Sequence, residues 1–261
     1  MALNPTDPTF PPEIEYLIFT SAVERRDLRP FPINLVLVAK RVHQWLIPII
    51  YRTISLNAGQ EYPIRWNPET LEKYGKHVRH LFVWTPSPKF NGRSLALPLS
   101  LCPNITNLIW WAPTHKAEVK AMSHLPLTYL SIELNNVKQT PEIIKTFSRI
   151  THLDNIGTFT DNIIILDHFT ALTHISYLRG HPAKIPLFFE RVPKLQVLIY
   201  HTCKLHLARP MVGDFQPEND DVRLVQMTRG IGGGFEDLLA DLIDGQGMWG
   251  LAEAAVETRK N

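Results

Sequence analysis

The sequence predicts an α/β chain: a small helical unit over residues 10–56, a curved solenoid with a parallel sheet over 57–229, and a Gly-rich linker with a helical cap over 230–261. Three observations predict it. Seven segments share one apolar pattern and begin at residues 78, 105, 127, 150, 172, 195 and 222, so the steps between them are 27, 22, 23, 22, 23 and 27. Residues 10–56 carry apolar side chains at helical spacing rather than in alternation. The 21 prolines outnumber the 13 glycines, and many fall where a regular element should begin.

The helical unit opens at Pro11-Pro12-Glu13, with Ile14, Leu17 and Ile18 one turn apart. Proline suits a first helical turn because its missing amide has no partner there. A basic, proline-flanked break spans 25–32, and Leu35, Val38, Ala39, Val42, Trp45 and Leu46 then recur at helical spacing. Pro48 should end or kink that helix.

In the second zone the pattern, as in Leu127-Thr-Tyr-Leu130-Ser-Ile132, is apolar at positions one and four of each segment and at position six of all but the fourth, which has Asn155. Each segment reads as a strand, and Pro103, Pro126 and Pro193 stand just before three of them. Short helices are predicted between them at Lys116–Ser123, Pro141–Phe147, Asp161–Phe169 and Ile185–Arg191. A strand–helix unit buries its apolar face only against its neighbours, so such units stack. In the third zone, Phe235 to Ile243 and Trp249 to Val256 predict two helices behind the Gly-rich linker, read as an end cap.

Composition narrows the functional classes. A chain of 261 residues with 44% hydrophobic and 20% charged residues can pack a core. A net charge of +2 is no footprint for nucleic acid, so no nucleic-acid partner is expected. Two cysteines, Cys102 and Cys203, cannot staple a chain this long. Residues 1–9 read as disordered. Met1 to Pro12 holds neither a basic residue nor an apolar stretch, so a secretory signal is not expected. No apolar run approaches the ~20 residues of a membrane span. Cytoplasm or nucleus is the expected location, with no membrane partner.

A repeat of 20–29 residues with Leu-x-x-Leu-x-Leu resembles the leucine-rich-repeat family. That family often places Asn or Cys eight residues after the first apolar position. Here only Asn135 and Cys203 match, so the reading is of about seven irregular repeats without a regular asparagine ladder.

Pro11-Pro12-Glu13-Ile14-Glu15-Tyr16-Leu17-Ile18-Phe19 resembles the opening of an F-box, Leu-Pro-x-Glu-Ile followed by Ile-Phe, with Phe10 in place of the leading leucine. Leu35-Val36-Leu37-Val38-Ala39-Lys40-Arg41 is similar to the later Leu-x-x-Val-Cys-Lys/Arg helix, with Ala39 for the cysteine and the usual tryptophan displaced to Trp45. The resemblance covers residues 10–56 and implies a substrate-recognition adaptor of an SCF-type (cullin-RING) ubiquitin ligase. Its F-box would dock a Skp-type adaptor through Pro11, Pro12, Ile14, Leu17, Ile18, Leu35, Val38, Val42 and Trp45, and the repeats would hold a target protein. The alternative is a repeat scaffold with no ubiquitin role, in which residues 10–56 only cap the stack.

Strand alternation turns positions three and five to the concave side. The target-binding residues expected there are Asn107, Ile109, Tyr129, Ser131, His152, Asp154, His174, Ser176, Val197 and Ile199; the alternative is that the tail or a loop covers this face. The seventh segment would add Leu224 and Gln226, and Trp111 reads equally as a surface anchor or as packing for a loop. His152, Asp154 and His174 could cluster, which suits either a metal or acid–base site or a polar patch in a protein-binding face; the patch is preferred. Gly-x-Ser-x-Gly, His-Glu-x-x-His and Cys-x-x-Cys are absent, and Gly230-Ile-Gly-Gly-Gly-Phe235 lacks the third glycine of a dinucleotide loop. The expectation is a non-enzyme with no metal and no cofactor.

Overall fold

The computed structural model describes residues 10–24, 33–57, 60–62, 68–85, 89–90, 93–137, 140–157, 163–178, 184–204, 211–212, 221–230 and 247–261. The predicted disordered start (1–9), the basic break (25–32) and the helix from Phe235 to Ile243 lie outside them.

The chain begins with α1 (Pro12–Glu24), a short 3-10 segment (Ile33–Leu37) and α2 (Lys40–Ile50). The helix predicted from Leu35 onward is split in two, because Ala39 is extended (φ −157°, ψ 153°). Pro48 does not stop α2, which runs through it to Ile50; the ring stands exposed in the last turn.

The sheet follows. Its elements are β1 (Thr53–Asn57), β2 (Gln60–Tyr62), α3 (Pro68–Tyr74), β3 (His80–Trp84), β4 (Lys89–Phe90), β5 (Arg93–Ser94), α4 (Ala96–Leu101) and β6 (Asn107–Trp111). Next come α5 (Lys116–Met122), β7 (Tyr129–Ile132), α6 (Pro141–Phe147), β8 (His152–Asn155), β9 (His174–Leu178) and α7 (Ile185–Arg191). The last are β10 (Val197–Lys204), β11 (Met211–Val212), β12 (Leu224–Gly230) and α8 (Met248–Lys260). The helix predicted at 161–169 is a 3-10 segment, Ile163–His168. The strand order is β11-β12-β10-β9-β8-β7-β6-β3-β1-β2, so eight parallel strands lie side by side in chain order, between antiparallel edges β2 and β11. The fold is α/β with a parallel sheet, as predicted; the sheet is open and already starts at Thr53.

Six predicted segments sit in mutual register. His80, Asn107, Tyr129, His152, His174 and Val197 form one row, at position three of each repeat. Positions one, four and six fill a continuous core with α3 to α7 on one side of the sheet: Val78, Leu81 and Val83, then Ile105, Leu108 and Trp110, and so on to Leu195 and Leu198. The seventh segment is one residue out. Leu198 pairs with Leu224, which joins the helix-side core, whereas Val225 and Met227 turn to the other face. A one-residue slip exchanges the faces of a strand. Here it follows from the turn Asp221–Arg223, where Asp221 accepts from the Arg223 amide (3.0 Å) and guanidinium, leaving Val222 exposed.

Position two does structural work that the apolar pattern hides. Thr106, Thr128, Thr151 and Thr173 form a ladder: each hydroxyl donates to the position-two carbonyl of the preceding repeat, at 3.3, 3.4, 3.1 and 3.2 Å. Each amide donates to the same carbonyl. This satisfies the backbone ahead of each strand, where no internal ladder bond reaches. Glycine is required at Gly75, since a Cβ there would run into the Leu101 carbonyl oxygen.

Candidate functional site

Two surfaces carry the predicted sites. The first is the helical unit. Pro11 accepts the first helical bonds of α1, from Ile14 (3.0 Å) and Glu15 (3.1 Å). Glu15 takes a two-pronged bond from Arg41 at 2.9 Å on each oxygen, Tyr16 meets Trp45 edge-on at 5.7 Å, and Phe19 and Val23 pack inward. These contacts tie one side of α1 to α2. The other side is open: Ile14, Leu17 (56% exposed) and Ile18 (50%) form an i, i+3, i+4 stripe, and Leu37 (76%) and Val38 (62%) are open on the same unit. Pro11 and Pro12 are exposed as well.

Three of the residues expected on this surface lie elsewhere. Val42 is buried in the unit's own core with Leu46, Ile50 and Tyr51, and Leu35 and Trp45 are half-buried against it. Val42, Leu46 and Ile50 form one helical stripe, and the unit's own core takes it.

The second surface is the sheet face opposite α3 to α7. A sheet with long parallel strands needs both faces covered. On this face Phe82, Ile109, Tyr129, Val197, Ile199, Val225 and Met227 form one cluster with Met248, Trp249, Ala252 and Val256 of α8. The C-terminal helix therefore lies across the face instead of closing the end of the stack. Ile109, Tyr129, Ser131, Asp154, His174, Ser176, Val197 and Ile199, expected in an open target groove, are buried; Asn107 and His152 are half-buried. The expected anchor Trp111 is also half-buried, with its Nε1 donating to Ser131 Oγ at 2.8 Å. Its neighbour Trp84, paired with it across the strands, is 46% exposed.

The polar residues of this face form two connected rows. At position five, Ser131 Oγ donates to Asp154 Oδ2 (2.7 Å) and Ser176 Oγ donates to Asp154 Oδ1 (2.8 Å). Behind them, Trp111 donates to Ser131, and His201 Nε2 donates to Ser176 (2.9 Å) while touching Met248 Sδ (3.1 Å). The row thus runs across five adjacent strands, with two serine donors on the buried Asp154 carboxylate and Trp111 and His201 behind them. Such a row holds when every member is satisfied. It occupies Asp154, so the cluster expected of His152, Asp154 and His174 does not form.

At position three, the His152 and His174 rings stack at 4.1 Å, 10° from parallel. Trp249 stands edge-on to both, at 5.4 and 5.6 Å. Burial holds both imidazoles down to about 4; the His174 ring adds to this at His152, and Glu253 opposes it there. His174 Nε2 lies 3.1 Å from Glu253 Oε1 of α8. The carboxylate beside the two histidines is thus Glu253, which no strand pattern could indicate; the one signal for it was the helical spacing of the tail. Cys102 is buried, its thiol pushed up to about 12 by desolvation, which makes it inert as a nucleophile.

Among the described residues, no helix is long and apolar enough to cross a membrane. No family model matches the chain, and neither a curated protein nor a solved structure does.

Proposed function

We propose that the chain is a substrate-recognition adaptor of an SCF-type (cullin-RING) ubiquitin ligase. Residues 10–56 act as the F-box and dock a Skp-type adaptor, and the strand–helix repeats act as a leucine-rich-repeat solenoid that holds a target protein. One observation carries the reading: the open stripe Ile14, Leu17 and Ile18, with Leu37 and Val38, sits on a unit whose own core is already filled by other residues. An exposed apolar patch of this kind marks a protein partner. Parallel strands in chain order, with helices on one face and apolar columns at positions one, four and six, support the repeat reading. Target recognition falls to what α8 leaves open on the other face, with Trp84 as its aromatic anchor beside Trp111 and Asn107.

Tyr51 favours the alternative, a scaffold with no ubiquitin role. It stacks on Tyr74 at 4.3 Å and joins the helical unit to the first strand–helix pair, as an end cap would. That contact uses the inner side of the unit and leaves the outer stripe of α1 without a purpose. The test is co-elution of the purified full-length chain with a purified Skp-type adaptor. The wild type should co-elute and Leu17→Glu should not; a wild type that elutes alone rejects the reading.

A further inference from the structure

His152, His174 and Glu253 converge where α8 crosses β8 and β9. Thr151 Oγ1 lies 2.9 Å from His152 Nδ1, and Thr173 Oγ1 lies 2.8 Å from His174 Nδ1. Each Nδ1 is thus engaged by the threonine before it, and Nε2 is the ring atom that each imidazole turns to the third residue. His174 Nε2 lies 3.1 Å from Glu253 Oε1. The nearly parallel rings point their Nε2 atoms the same way, and one ligand atom from each of the three residues lies within 4.8 Å of the other two.

We propose that His152 Nε2, His174 Nε2 and the Glu253 carboxylate bind one divalent transition-metal ion, zinc by preference. Two imidazoles and one carboxylate suit zinc and exclude calcium and magnesium, which take oxygen ligands. With the ion on Nε2, the Thr151 and Thr173 hydroxyls are placed to accept from each Nδ1–H, the part that outer partners of ligating histidines usually play. Trp249 walls one side, and the exposed Glu253 leaves room for water at a fourth position. Two ligands come from β8 and β9 and the third from α8, so the ion clasps the C-terminal helix to the sheet and stabilises the covered state. The clasp is independent of adaptor docking.

The test titrates the metal-free full-length chain with zinc chloride against a chromophoric chelator, and with cobalt(II) for its tetrahedral absorption bands. One equivalent should bind. Glu253→Gln and His152→Gln should each weaken binding about tenfold or more, and zinc should slow amide exchange over 248–256. Glu253 is exposed, so its variant should fold as the wild type does. Absence of saturable binding overturns the proposal, as does undiminished binding in well-folded Glu253→Gln. An NMR titration that finds His174 charged at pH 7 in the metal-free chain would assign the contact to a proton and also overturn it.

Discussion

The helices α1 and α8 are each 13 residues long and treat their apolar residues in opposite ways. In α8, Met248, Trp249, Ala252 and Val256 are buried on the second face of the sheet. In α1, Ile14, Leu17 and Ile18 stand in solvent. The difference lies in what the rest of the chain offers. A parallel sheet with helices on one side has a second face to be covered, and α8 supplies the cover. The helical unit has one small core, and Val42, Leu46, Ile50 and Tyr51 already fill it. An apolar stripe left over after packing is a surface for another molecule. A stripe buried by packing is a structural part, however much its strand residues resemble a binding groove.

The comparison breaks most easily by truncating one side chain on each helix. Trp249→Ala should cost about 3–5 kcal/mol, since it empties the cluster against His152 and His174. Leu17→Ala should stay within about 0.5 kcal/mol. Urea midpoints read both, and equal costs would contradict the contrast. Next in size is the buried row beneath α8. Asp154→Ala should cost roughly 3 kcal/mol, because the Ser131 and Ser176 hydroxyls lose their common acceptor in a dry site.

A smaller effect separates the covered face from its near end. Burial, then the charges of Arg52 and Arg79, hold His80 down to about 4. The unfolded chain takes up that proton near pH ~6.5, and the folded chain only near 4. The associated stability is therefore complete above ~6.5 and lost as pH falls towards 4, by roughly 2 kcal/mol once partial exposure is allowed for. Denaturant midpoints at pH 7 and pH 4.5 should differ less in His80→Gln than in the wild type; an unchanged difference would show that His80 does not carry it.

Much of the fold was legible because its signal is local and repeated. Leu127, Leu130 and Ile132 recur as Leu172, Ile175 and Tyr177, and both triplets face the helices. The threonine column 106, 128, 151 and 173 was equally visible, but a polar residue before a strand reads as loop until its hydrogen bonds are seen. The last repeat slipped because Asp221 stands where an apolar residue starts the others. Cover of the second face by the tail stands beside target binding as an alternative, and the sequence alone does not decide between them. Trp249 and Ala252 announce a helix, but helical spacing does not say which surface the helix will find, and Ile109 or Val197 would look the same beneath a partner. Glu253 escaped for the same reason. Val42 was misplaced because helical spacing marks its stripe with Leu46 but does not say that the unit's own core, and not a partner, takes it.

The central claim is that the open stripe of α1 is a docking surface for a Skp-type adaptor, and calorimetric titration of that adaptor into the full-length chain tests it most directly. Leu251, on α8, is a matched control, as it is 40% exposed on a helix that has already found its partner surface. The account predicts saturable one-to-one binding that is lost in Leu17→Asp with Val38→Asp and kept in Leu251→Asp. Equal affinity in all three chains, or no binding by the wild type, would contradict it.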